Sequence, residues 1–271
     1  LIIRQFRQRI TDGSVLSLLR QFLESGVMVG YHLEETELGS PQGGVISPLI
    51  ANVYLDAFDQ FMKARGHRIV RYADDILILC GSRAGAENAL RVARRYLENE
   101  LKLTVNTTKT HIAHSDEGVK FLGVVIHSKY TRIQGKKVVR LKQKLKSLTK
   151  RNRGIGLAAI IRELNPVLRG FVSYFRVANC ARVLKQVMSW LRRRLRCIQL
   201  KQWKKPGRLH RRLKQLGYQP PFRHIKMQSW RNAASPLASL ALPNTYLHND
   251  LQLMDLAKVK TGITVPEFGV S

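Results

Sequence analysis

Ile69-Val70-Arg71-Tyr72-Ala73-Asp74-Asp75-Ile76-Leu77-Ile78-Leu79 sets two adjacent carboxylates between two short apolar runs. Runs of strand length on either side of a polar turn predict an antiparallel hairpin with both aspartates at one end. Neighbouring anions that both stay ionised call for a cation, and an all-oxygen ligand set favours a hard ion such as Mg²⁺. Asp74 and Asp75 are therefore the candidate metal ligands and catalytic residues.

Working outward, residues 10 to 30 carry Ile10, Val15, Leu18, Leu19, Phe22 and Leu23 at helical spacing, with Asp12 or Ser14 placed to cap the start and Gly26 to end it. A turn-rich loop, Gly39 to Gly44, precedes a second helix over 45–61, where Ser47 and Pro48 would cap and open it. After the hairpin, 84–101 reads as an amphipathic helix, and 103–105, 110–113 and 119–126 read as strands. From Arg140 onward only helices are expected: one through Leu141, Leu145 and Leu148; 157–175, broken near Pro166 and Gly170; 182–202; and a short one over 210–216. The inward stripe of 182–202 is Val183, Val187, Trp190, Leu191, Leu195 and Ile198. Beyond Gly217 the period is lost among prolines, which predicts an accessory region with little regular structure and a mobile tail over 261–271.

The fold class expected is α+β, an antiparallel sheet backed by helices, followed by an all-helical unit and a small irregular C-terminal region. The domains expected are 1–135, 136–217 and 218–271.

Charge supplies the second strong signal. A formal charge of +29 on 271 residues exceeds what solubility requires and calls for an anionic partner, above all nucleic acid. Residues 129–215 contain 27 Lys or Arg and a single acid, Glu163. One part is thus suited to hold a metal and the next to hold phosphates. The outward positions Arg192, Arg193, Arg196 and Lys201, with Lys204 and Lys205 after them, form the expected nucleic-acid-binding face. Cys80, Cys180 and Cys197 are too few and too scattered for a zinc site or a disulfide framework, which fits a reducing compartment. The eight histidines have no ligand spacing. No apolar run of about eighteen residues occurs, which argues against a membrane span.

These residues resemble the reverse transcriptases encoded by group II introns, also called intron maturases, through nearly the whole chain. Gly39 to Asn52 is similar to the family's fourth conserved block, Arg71 to Asp75 to the fifth, Leu103 to Thr110 to the sixth, and Phe121-Leu122-Gly123 to the seventh. Asn165, Leu168 to Gly170 and Tyr174-Phe175-Arg176, with the basic helix after them, resemble its thumb, or maturase domain X. Trp230-Arg231 and the segment to Leu256 are similar to its DNA-target-binding domain.

The resemblance implies a polymerase palm over 1–135, a thumb over 136–217 and a DNA-binding region over 218–271. It implies RNA-directed DNA synthesis by transfer of nucleotides at two Mg²⁺ ions, together with intron RNA binding for splicing and mobility. Asp74 and Asp75 would hold metal. Gln42, with Pro41 and Gly43 around it, would contact the incoming nucleotide. Tyr72 and Ala73 would lie beside the primer terminus, Lys109 would protonate the leaving pyrophosphate, and Phe121, Leu122 and Gly123 would grip the primer. Asp56 and Asp59, on the helix after the Gly-rich loop, read as surface or capping residues.

The implied partners are a group II intron RNA, a primer–template RNA–DNA duplex and target DNA, with a homodimer allowed and no membrane. The expected setting is a bacterial cytoplasm, an organelle being the other. In this family the first metal-binding aspartate lies just upstream of the opening helix, so the chain alone is expected to have no appreciable polymerase activity. No paired cysteines follow, so a nuclease function is not expected. Two rivals stand beside this reading. One is a non-catalytic maturase remnant acting only as a splicing factor, against which intact Gln42, Asp74 and Asp75 argue. The other is a retron-like or diversity-generating lineage, against which the long helical thumb argues.

Overall fold

The computed structural model describes residues 2–24, 27–29, 32–34 and 46–262. The chain divides into two compact units, Leu1–His114 and Ser115–Ser271. The division falls ahead of residue 135, so the strands after Ser115 belong with the helices that follow them.

In the first unit, α1 (Ile2–Arg7) and α2 (Gly13–Glu24) precede a short hairpin of β1 (Val27–Val29) and β2 (His32–Glu34). α1 has no counterpart in the sequence reading. Asp12 caps α2, its Oδ1 accepting from Ser14 N at 2.8 Å and Val15 N at 3.3 Å. The stop expected at Gly26 lies outside the described residues.

α3 (Ser47–Ala64) has Pro48 in its first turn, where a missing N–H costs nothing. Ser47 is its first residue rather than its cap, a position held by Ile46. Phe6, Leu19 and Ile50 close one apolar cluster at the start of α3; Leu55, Phe58 and Met62 on its later turns form another with Ala93 and Leu101.

The hairpin expected around the aspartates forms from β3 (Arg68–Tyr72) and β4 (Asp75–Leu79). α4 (Arg83–Arg95) starts at Ser82, whose Oγ accepts from Gly85 N at 3.1 Å. It ends in a wide π-helical turn, Tyr96–Glu100, where Tyr96 stacks on Phe61 with ring centres 4.0 Å apart. The strands expected at 103–105 and 110–113 do not form. Asn106 instead folds the chain into a turn, its Oδ1 accepting from Thr108 N and Lys109 N, both at 3.1 Å.

In the second unit, β5 (Val119–Phe121), β6 (Val124–Ile126) and β7 (Thr131–Ile133) form a meander with β6 central. The single strand expected over 119–126 is thus two strands joined at Leu122-Gly123. Among the described residues the strands make three small antiparallel sheets rather than one. The chain is a mixture of helix and small antiparallel sheets, as the α+β reading requires.

α5 (Gly135–Leu148), α6 (Leu157–Phe175), α7 (Ala181–Trp203) and α8 (Pro206–Gln215) follow, with α9 (Pro236–Ala241) in the C-terminal segment. α6 runs unbroken through Pro166, contrary to the expected break. Its buried side, from Leu157 through Leu164 and Leu168 to Phe175, is anchored on both flanks of the proline, while Pro166 itself faces solvent, where water can take up the freed carbonyl. The buried stripe of α7 is Leu184, Val187, Met188, Leu191, Leu195 and Ile198; Val183 and Trp190 are half-buried.

Residues 218–262 are built into this unit instead of forming a loose accessory. Leu247, Leu253 and Leu256 complete the core of α5, α6 and α7, while Ile225, Met227 and Ala238 close a second core with Leu200, Leu209 and Leu213. From residue 263 on, the expected tail lies outside the described residues. Among the described residues, no helix is long and apolar enough to cross a membrane.

Candidate catalytic hairpin and nucleic-acid interface

The register of β3 and β4 pairs Tyr72 with Asp75 and leaves Ala73 and Asp74 as a two-residue turn. Ala73 takes φ 54°, the positive value that such tight hairpin turns need at their first position. Both carboxylates therefore sit at the tip, exposed, beside an exposed Tyr72.

Arg71 holds that tip in place. Its Nε lies 3.0 Å from each carboxylate oxygen of Asp59 and its Nη2 lies 2.7 Å from Oδ2. Its Nη1 donates to Asn52 Oδ1 at 2.9 Å and to Ala73 O at 3.2 Å. One guanidinium thus joins two positions on α3 to the carbonyl of the turn. The Arg71 and Asp59 side chains are only 10% and 15% exposed, so water screens the pair weakly. Asp59, read from sequence as a surface or capping residue, is a positioning residue for the hairpin. Asp56 pairs with Arg9.

Because Arg71 is engaged by Asp59, it does not neutralise its neighbours. Asp74 and Asp75 have no ion-pair or hydrogen-bond partner among the described residues, which leaves their oxygens open to a cation that keeps waters and takes further oxygens from a substrate. The donor set fits Mg²⁺ in kind. It is a pair only, since no group of three His, Cys, Asp or Glu side chains gathers among the described residues. Lys109 is exposed on the Asn106 turn and forms no ion pair with either aspartate. Pro41, Gln42 and Gly43 lie outside the described residues.

The Phe121-Leu122-Gly123 turn is fixed within the second unit. Leu122 and Gly123 take φ 46° and 85°, and Tyr174 on α6 donates its hydroxyl proton to Leu122 O at 2.9 Å. A Cβ on Gly123 would stand 3.0 Å from Lys137 Cε and 3.4 Å from the Phe175 ring, so close packing as well as backbone conformation asks for glycine.

The basic face expected on α7 is only partly open. Arg192 donates to His248 Nε2 at 2.8 Å and to Asp255 Oδ1 at 3.0 Å. Arg193 donates to Trp230 O, and Arg196 to Leu242 O and Asn244 Oδ1. These arginines point outward from the α5–α6–α7 core, as the helical period requires, but the outside of α7 is covered by residues 230–255. Burial lowers the pKa of Arg196, and that of its neighbour Arg194, from the usual arginine value. Lys201 is half-buried, while Lys204 and Lys205 are exposed.

The open cations lie elsewhere. Lys136, Arg140, Lys142, Lys144 and Lys146 are exposed along α5, and Arg208, Arg211 and Lys214 along α8; none forms an ion pair among the described residues. The signal for α5 was present in Gly135-Lys136-Lys137-Val138-Val139-Arg140-Leu141-Lys142-Gln143-Lys144-Leu145-Lys146, where leucines face inward at a spacing of four.

The profile described as "Reverse transcriptase (RNA-dependent DNA polymerase)" matches residues 3–126, and "Group II intron, maturase-specific domain" matches residues 138–217. The chain belongs to the group II intron reverse transcriptase/maturase family. Protein YkfC of Escherichia coli is 34% identical, the match covering 51% of this chain and 45% of that one. The putative COX1/OXI3 intron 2 protein of Saccharomyces cerevisiae is 28% identical over 45% of this chain and 21% of its own. Group II intron-encoded protein LtrA of Lactococcus lactis is 25% identical over 42% of this chain and 30% of its own. The chain thus spans less than half the length of these relatives. Its carboxylate hairpin lies within the matched reverse transcriptase region, and its cationic α5 and α8 lie almost wholly within the matched maturase region.

Proposed function

We propose that the chain supplies the catalytic hairpin and the RNA-holding helices of an RNA-directed DNA polymerase that also assists splicing and mobility of its host intron. In this reading 1–135 is palm, 136–217 the maturase thumb, and 218–271 a region that contacts target DNA, and the protein works in a bacterial cytoplasm. The observation that carries it is the Asp74–Asp75 tip, unpaired among the described residues and held by Arg71 on Asp59 in a chain of net charge +29. A solvated turn has no need of two bare anions side by side, nor of a weakly screened ion pair to aim them.

Bound Mg²⁺ would stabilise the charge that develops on the attacking 3′ oxygen and on the leaving pyrophosphate. The chain's own residues bind and orient. Asp74 and Asp75 would hold the metal, Tyr72 and Ala73 border the primer end, Gln42 with Pro41 and Gly43 contacts the incoming nucleotide, and Lys109 serves as proton donor to the leaving group. The Phe121–Gly123 turn grips the primer, while the open cations of the thumb and its flanks bind phosphates of the intron RNA.

The test is primer extension on an RNA template with Mg²⁺ by the product of the gene that carries this chain. Asp74→Ala is expected to lower extension by about 100-fold or more while RNA affinity changes less than about twofold. Undiminished extension by Asp74→Ala would remove the hairpin from catalysis.

A further inference from the structure

An open cleft of about 480 Å³ lies between α7 and the C-terminal segment that covers it. From α7 it is lined by Gln186, Ser189, Trp190, Arg193 and Arg196; Ala233, Ala234 and Ser239 line it from the other side. Two guanidinium groups and no carboxylate border it, which suits an anion.

Arg193 is held at the mouth of this cleft and left incomplete. Its Nη2 donates to Trp230 O at 3.2 Å, and its guanidinium carbon lies 4.6 Å from the centre of the Trp230 ring. Its Nε is buried and has no hydrogen-bond partner among the described residues. Its Nη1 makes no hydrogen bond among the described residues either, and it is the donor left to meet an anionic oxygen in the cleft. The side chains of Gln186, Ser189 and Ser239 likewise make no hydrogen bond among the described residues. Trp190 adds a half-buried aromatic wall, and Ala233 and Ala234 keep the opposite wall shallow.

We infer that this cleft takes one unstacked nucleotide of a bound polynucleotide. Its phosphate lies on Arg193 and Arg196, its base lies against Trp190, and its polar edge meets Gln186 and the two serines. Extruded bases are commonly held in this way, by an aromatic or guanidinium surface together with side-chain amides and hydroxyls. The inference rests on the nucleic-acid reading above and adds a site that senses unpaired nucleotides, which a cationic surface alone does not do.

The experiment measures fluorescence anisotropy of the whole chain with a labelled RNA duplex carrying a single-nucleotide bulge. The same duplex fully paired, the same bulge made abasic, and the DNA equivalent serve as comparisons at one fixed salt concentration. The bulged RNA is expected to bind about tenfold more tightly than the paired duplex, and the abasic bulge to lose most of that preference. Ala234→Trp fills the cleft from an exposed position with every charge retained. Gln186→Glu sets a carboxylate against the phosphate, also from an exposed position. Each is expected to bring bulged and paired duplexes within about twofold of each other while paired-duplex affinity holds.

A preference that survives both substitutions, or that the abasic bulge keeps in full, overturns the site and leaves general RNA binding standing. Failure to bind any of the duplexes overturns the nucleic-acid reading and the site with it. An equal preference for bulged DNA supports a site that reads base and phosphate; a preference confined to RNA supports one that also reads the ribose.

Discussion

Ala73 takes a backbone conformation that costs a residue with a Cβ about 1 kcal/mol. It is exposed, so little packing offsets that cost. Ala73→Gly is expected to leave stability unchanged or raise it by up to about 1 kcal/mol, because relief of strain is partly offset by greater freedom of the unfolded chain. Ala73→Val, which puts a β-branched side chain at positive φ, is expected to lower stability by at least about 1 kcal/mol. Urea unfolding of the two variants checks the pair. The Tyr72-Ala73-Asp74-Asp75 turn was legible because a hairpin is encoded within a dozen residues. Its support was not. Asp59 precedes Arg71 by twelve residues on a different element, and nothing in a helical period says which outward acid meets which strand cation. Asp59→Asn is expected to cost about 2–3 kcal/mol, since it leaves a weakly solvated guanidinium without its charge partner, and to reduce primer extension as the hairpin loses its aim. A midpoint of unfolding unchanged from wild type would show the pair to be ornamental.

Helix α7 carries its apolar stripe where a 3.6-residue period puts it, yet its polar side proved harder to read. A charged side chain at an outward position is free only if nothing else covers the helix, and here Arg192, Arg193 and Arg196 fasten 230–255 onto it. Arg194 does the same toward α5. Its Nε donates to Thr149 Oγ1 at 2.6 Å and its Nη2 to Thr149 O at 2.9 Å, and the fully buried threonine hydroxyl donates in turn to Leu145 O at 2.6 Å. Thr149→Val keeps the shape and removes the acceptor, so it is expected to cost about 1–3 kcal/mol, with Thr149→Ser much milder. Thermal unfolding of the two variants separates loss of the acceptor from loss of packing. α6 teaches the converse: Pro166 marks a break only when the flanking turns are free to move, and buried residues on both sides of it keep them in line.

Across the whole molecule the charge is divided unevenly. Residues 1–114 hold 14 Lys or Arg against 12 Asp or Glu, whereas residues 115–271 hold 33 against 6. The only acid of 129–215, Glu163, is bound by Arg153 Nη1 at 2.7 Å, so it neutralises one cation already counted and little else. Binding of a group II intron RNA should therefore be strongly dependent on salt. If six to ten phosphates are neutralised, affinity should fall by about three to five decades between 50 and 200 mM salt. Filter binding across that series, beside a structured control RNA, measures both the slope and the preference for the intron. A flat salt response would dissociate the cationic unit from phosphate binding. Sequence by itself determined the carboxylate hairpin, the run of amphipathic helices and the surplus of cations, because each is written in neighbouring residues or in plain composition. Only the tertiary structure decided that Asp59 steadies the hairpin, that residues 218–262 share the helical core, and which arginines remain open. Those outcomes depend on side chains brought together from tens of residues apart, and packing selects such pairs by shape and partner across the whole unit.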